Sequence, residues 1–235
     1  MSIQPFSDEK VAFLFHVYKE FELAKRLISQ LRFFFPLSNI LGIADGTYNY
    51  EFKEFAWQHN VRYIEAERLF RQETGNQWVK RMFWFYTASS HADYLIKIDP
   101  DAYVLRRFNF LPHLDIAGTP FTLANKVTFI HGGCALYSRQ AADAILNTNL
   151  INDEEYRKNS AFSYRRFMPP YKRRDEQPET FKCMCEDRII GDLEQKLGLK
   201  MGEWNEIYAD QTEKNPNDYA DMKYAVIHAV KTLAP

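Results

Sequence analysis

Apolar positions along this chain follow two alternating rhythms. The run VAFLFHVYKE, residues 11–20, is apolar nearly throughout before it turns polar, which predicts a short buried strand. Beyond it Ala24, Leu27, Ile28 and Leu31 share one helical face until Pro36 stops the helix. NILGIADGTYN predicts a second strand closed by an Asp-Gly turn, and YEFKEFAWQHN with VRYIEA repeats helix then strand. A helix over 77–92 then feeds a strand marked by Tyr94, Leu95, Ile96 and Ile98. Alternation of this kind predicts an α/β sheet with parallel strands and right-handed crossovers.

The second half is less regular. DIAGTPF and VTFIHGGCALYS predict strands around a Gly132-Gly133 turn, and a helix is expected from Arg139 to Leu146. CEDRIIGDLEQKLGL starts acidic and continues with Ile189, Ile190, Leu193 and Leu197 on one stripe, which predicts a helix. YAVIHAVKT is strand-like. Residues 151–182 mix charges, a Pro-Pro pair and aromatics without a period, as a lid or a solvated excursion does.

The 235 residues, 46% hydrophobic, suit one domain over the whole chain. A net charge of −1 gives no electrostatic reason to expect nucleic acid. No apolar stretch is long enough for a transmembrane segment, and the amino end lacks a signal peptide's apolar region, so a cytoplasmic protein is expected. Cys134, Cys183 and Cys185 are odd in number and read as reduced thiols.

Candidate chemistry gathers at the ends of the predicted strands. Asp99 and Asp101 flank Pro100, which keeps Asp99 extended, so both carboxylates should face one place. Asp-Pro-Asp is also ordinary turn chemistry. Ligands of open α/β sheets collect beyond the carboxyl ends of strands, where His16, Asp45 and the Asp99/Asp101 pair would meet. Glu186 and Asp187 open a helix, where acidic residues also complement the helix dipole. His228 and Lys231 follow near the chain's end, and imidazole suits manganese-like cations. Arg81 and Lys97 are basic residues close in sequence to the carboxylate pair.

YLIKIDPDAYV, IHGGCALYSRQAADAIL and CEDRIIGDLEQKLGL, in that order, resemble the metal-site, Gly-Gly and acidic-helix segments of the Fringe and beta-3-glycosyltransferase group. The resemblance spans roughly residues 90–231, and it implies a single-domain glycosyltransferase A (GT-A) fold, a Rossmann-like mixed central sheet flanked by helices. It implies a nucleotide-sugar-binding half over 1–110 and an acceptor-binding half over 111–235. By it, Asp99, Asp101 and His228 hold Mn²⁺, with Mg²⁺ as the other choice, against the diphosphate of a UDP-sugar. Lys231 lies near the phosphates, Asp187 is the base with Glu186 beside it, and Gly132 and Gly133 face the sugar. His16, Asp45, Arg81, Lys97 and Asp99 fall on the nucleotide-sugar side. Pro100 departs from the family's frequent run of three Asp, though both ligand positions survive. The membrane anchor and paired cysteines of extracellular members are missing from the sequence.

The expected reaction is sugar transfer by inverting single displacement to a glycan, lipid-linked glycan or small-molecule acceptor. A cation would offset charge on the leaving phosphate, and a carboxylate would take the acceptor's proton. Two alternatives use the same residue types: a sugar nucleotidyltransferase or metal-dependent phosphoesterase, and a catalytically silent nucleotide-sugar-binding module.

Overall fold

The computed structural model describes residues 4–69, 75–122, 128–152, 164–165, 182–183, 186–210 and 212–231. Strand β1 (Val11–Val17) leads through helix α1 (Phe21–Phe34) to β2 (Asn39–Asp45), then α2 (Tyr50–Gln58), β3 (Val61–Ala66), α3 (Gly75–Ser89) and β4 (Tyr94–Ile98). The first half therefore alternates as its hydrophobic periods predict, and the helix before β4 starts and ends two to three residues earlier than expected. The short β5 (Tyr103–Val104) precedes β6 (Ile116–Thr122), β7 (Thr128–Ser138) and α4 (Arg139–Asn147). Helix α5 (Glu186–Leu197), β8 (Met201–Glu203), β9 (Ile207–Ala209) and β10 (Val226–His228) complete these elements.

Among the described residues the central sheet has seven strands in the order β8-β6-β7-β4-β1-β2-β3. Strands β4, β1, β2 and β3 run parallel, as does β8 beside β6, while β7 lies antiparallel to both β4 and β6. The sheet is mixed because β7 returns beside β4. The expected Gly-Gly turn is not there: Gly132 and Gly133 lie inside the eleven-residue β7.

Strand alternation divides the core into two layers. Phe13, Phe15, Ile96 and Ile98 pack with Leu27, Ile28 and Leu31 of α1 and Phe52 of α2. Ala12, Leu14, Leu95, Ala135 and Tyr137 pack on the opposite face with Trp78 and Phe83 of α3, Ile145 of α4, and Ile189, Ile190 and Leu193 of α5. The apolar stripes read from α1 and α5 are the faces these helices bury. A second sheet, β9-β10-β5, joins three short strands and brings the chain's end beside the loop after β4. Within the irregular stretch 151–182, residues 153–163 and 166–181 lie outside the described residues, as therefore does the expected lid. No helix among the described residues is long and apolar enough to cross a membrane.

Candidate metal centre and active site

The site begins one residue past β4. The Asp99 N–H donates to the Gly133 carbonyl at 2.9 Å, and the Asp99 carbonyl accepts the Ala102 N–H at 2.9 Å. Asp99–Ala102 is thus a β-turn with Pro100 at its second position, the place where proline's fixed φ fits. The turn, not extended alternation, gathers the two carboxylates. Turn chemistry and ligand chemistry are here one feature.

His228 arrives from β10, where it pairs in register with Ala209. Its Nε2 lies 3.0 Å from Asp101 Oδ1 and 3.8 Å from Asp99 Oδ2. Candidate ligand atoms from Asp99, Asp101 and His228 all lie within 4.8 Å of one another. His228 Nδ1 is 3.0 Å from the Asp210 carbonyl, an acceptor only, so Nδ1 donates there and Nε2 is the ring nitrogen turned toward the carboxylates. Two carboxylates and one imidazole make a donor set of the kind that holds divalent cations. Gly133 makes room for this ring: a Cβ there would sit 2.5 Å from both Cγ and Nδ1 of His228. The residues therefore fit a divalent cation.

Lys97 occupies the buried side of the centre. Its side chain is 1% exposed, and its ammonium donates to Asp99 Oδ1 at 2.5 Å and to the Gly132 carbonyl. Glu186 Oε1 of α5 lies 3.8 Å from the same ammonium, and the Trp78 ring lies 5.4 Å from it. Lys97 thus holds Asp99 by one oxygen and turns the other toward His228. Trp78 stacks on His16 with centroids 3.9 Å apart, which links the end of β1 to β4. Tyr137 lies in the same wall. Burial raises its phenol pKa well above the usual value, and the charges of Glu186, Asp187 and Asp99 add to the effect.

The other sequence candidates separate. Asp45 Oδ1 accepts from Arg81 Nη2 at 2.7 Å and from the Leu69 N–H at 2.8 Å, so these two residues form an ion pair at the end of β2. Asp187 is half-buried in the first turn of α5, and its Oδ1 accepts the Arg188 N–H at 2.8 Å. Lys231 is exposed directly after Val230, whose N–H donates to the Asp101 carbonyl at 2.6 Å. Cys134 is a buried free thiol, its pKa raised by burial. The side chains of Cys183 and Cys185 lie outside the described residues.

Three supporting residues carried no readable sequence signal. His131 Nδ1 accepts the Gly133 N–H at 3.1 Å, and its ring centroid lies 5.4 Å from that of His228. Asp210 reaches His228 through a backbone carbonyl, which no side-chain motif encodes. Lys214 sits among aromatic and polar neighbours 14 residues before His228 and looks like any surface lysine. For Trp78 a signal existed, since the spacing from Trp78 to Met82 and Phe85 marks a buried helix face.

No family model and no curated protein matches this chain. Solved structures do match. Galactosyltransferase LgtC, solved in complex with donor and acceptor sugar analogs, aligns with a TM-score of 0.51 at 10% sequence identity, over 93% of this chain and 86% of that one. The mixed seven-stranded sheet flanked by helices is similar to that structure, and the chain has a fold of the glycosyltransferase A type.

Proposed function

We propose that this protein transfers a sugar from a nucleotide sugar, with a UDP-sugar as first choice, to an acceptor hydroxyl. The observation that carries the reading is the Asp99, Asp101 and His228 triad at the strand ends of a sheet of this type. The similar galactosyltransferase, solved with donor and acceptor sugar analogs, supports it from outside the chain. Asp99, Asp101 and His228 would hold Mn²⁺ or Mg²⁺. A divalent cation, when bound, offsets the negative charge that a leaving diphosphate gains.

The chain's own groups supply the rest. Lys231, exposed beside the centre, places an ammonium near the diphosphate. His16 and Asp45 lie at neighbouring strand ends, Arg81 of α3 pairs with Asp45, and these three would take the nucleotide, while Lys97 would serve that side by fixing Asp99. Gly132 would let backbone approach the sugar, whereas Gly133 serves the site by admitting the His228 ring. The acceptor hydroxyl attacks the anomeric carbon and gives its proton to Asp187. The bond from that carbon to the phosphate oxygen breaks, and its electron pair leaves with the diphosphate. One such displacement inverts the anomeric configuration. Glu186, held at Lys97, keeps its neighbour in place.

The test is a thermal-shift titration with UDP, GDP, ADP and CMP, each with and without Mn²⁺, since a ligand of the native state stabilises it by RT ln(1 + [L]/Kd). A shift with UDP that requires Mn²⁺ is expected, followed by transfer from a UDP-sugar panel with the product's anomeric configuration read by NMR. Release of pyrophosphate or free phosphate without glycosylated product would favour the nucleotidyltransferase or phosphoesterase chemistry. Donor binding with no product from any acceptor would mark a silent binding module.

A further inference from the structure

The turn that carries Asp210, Thr212 and Lys214 contains an ammonium that the reaction above does not use. The Lys214 side chain is 2% exposed, and Nζ donates to Asp210 Oδ1, to the Thr212 carbonyl at 2.8 Å and to Thr212 Oγ1 at 3.3 Å. An ammonium has three protons, and three acceptors meet it. Asp210 Oδ1 also collects the Thr212 N–H at 2.7 Å and the Thr212 hydroxyl at 2.6 Å. The turn is closed on itself from inside.

Its backbone then reaches the metal ligands. The Asp210 carbonyl takes the His228 Nδ1 proton at 3.0 Å, and the Asp210 N–H returns to the His228 carbonyl at 3.2 Å. The Lys214 N–H donates to the Ala229 carbonyl at 2.9 Å, one residue before Val230 hooks onto Asp101. We infer that Lys214 is a positioning residue for the cation site. By tying Asp210 to Thr212 it fixes the carbonyl that takes the Nδ1 proton, and so aims Nε2 of His228 at the two carboxylates. This rests on the metal site proposed above. A lysine that only stabilised the fold would leave the Nδ1 hydrogen bond and the metal affinity unchanged.

The experiment compares wild type with Lys214→Met and, as a milder lesion, Thr212→Val, each shown folded by circular dichroism. Histidine-labelled ¹⁵N NMR reads the Nδ1–H hydrogen bond of His228 to the Asp210 carbonyl, and electron paramagnetic resonance of free Mn²⁺ reads affinity. Wild type should show Nδ1 hydrogen-bonded, and the variants should lose that bond and bind Mn²⁺ about 10–100-fold more weakly, the usual size of such supporting contacts. Variants that keep the hydrogen bond and the Mn²⁺ affinity overturn the inference. Wild type that binds no Mn²⁺, while the hydrogen bond still depends on Lys214, leaves the clamp standing and removes the metal reading instead. Should Lys214→Met not fold, Thr212→Val alone decides by the same two readouts.

Discussion

One added carbon at Gly133 would lie 2.5 Å from two atoms of the His228 ring. Strand β7 is paired on both sides, to β4 and to β6, so the ring must yield before the backbone does. Gly133→Ala should therefore cost about 1–3 kcal/mol of stability, the usual price of overpacking. It should also weaken Mn²⁺ binding about 10–100-fold, as loss of ligand orientation does elsewhere. Calorimetric Mn²⁺ titration checks this, and unchanged affinity would mean that His228 is not a ligand. Lys97 supports a second prediction of the same scale. Its ammonium serves Asp99 and Glu186 from a site 1% exposed, so Lys97→Met leaves two carboxylates without it and should cost about 3–5 kcal/mol in urea unfolding. Adding Glu186→Gln should recover part of that loss, because the two residues share one interaction. Additive losses would deny the coupling.

At the scale of elements, α5 puts its two leading acidic residues in different surroundings. Glu186 is 3% exposed and faces Lys97, whereas Asp187 is half-buried one position on. Asp187→Asn is expected to retain donor binding while transfer falls about 10²- to 10⁴-fold, the span of a lost general base. Full transfer would remove Asp187 from the chemistry. The bonds that join Asp210 to Thr212 and Lys214 carry a pH prediction. Burial alone would raise the Asp210 pKa, but the bonds from Lys214 and Thr212 outweigh it and hold the carboxyl at about 2. A folded-state pKa below the unfolded value means the stabilisation is full above about pH 4 and fades as pH falls through about 2. The stability gap between wild type and Thr212→Val should shrink over that window, and a gap constant with pH would place the loss elsewhere. Elements also explain what the sequence makes legible. Helix α1 shows its buried face because four residues repeat at helical spacing, and β1 is an apolar run too long to miss. Strands β5, β8 and β9 hold two or three residues each, too few for any period. The three candidate ligands, Asp99, Asp101 and His228, stand out by residue type. The Asp210 carbonyl does not, because every residue has one.

The whole molecule assembles its site from distant parts: a turn after β4, a glycine in β7, a loop before β10 and β10 itself. Something must hold the carboxyl-terminal piece against the amino-terminal layer, and α1 supplies it. Arg26 Nη2 donates to the Val230 carbonyl at 2.9 Å and to the Ala102 carbonyl at 3.2 Å, spanning both sides of the metal loop. Burial lowers the pKa of this guanidinium, partly offset by Tyr103 and Asp101, yet arginine stays charged in proteins, so these remain charge-assisted bonds. Two turns further along the same helix, Arg32 performs an equivalent task away from the site, donating to the carbonyls of His59 at 2.7 Å, Ser38 at 2.8 Å and Asn60 at 2.9 Å. The two arginines form a matched pair of tests. Arg26→Met and Arg32→Met should each cost about 1.5–3 kcal/mol, the range for bonds to charged groups. Only Arg26→Met should also weaken Mn²⁺ binding, because only Arg26 holds the segment that carries His228 against the Asp99–Ala102 turn. Equal Mn²⁺ affinity in the two variants, with stability lost in both, would mean that the centre is held by its local turns alone.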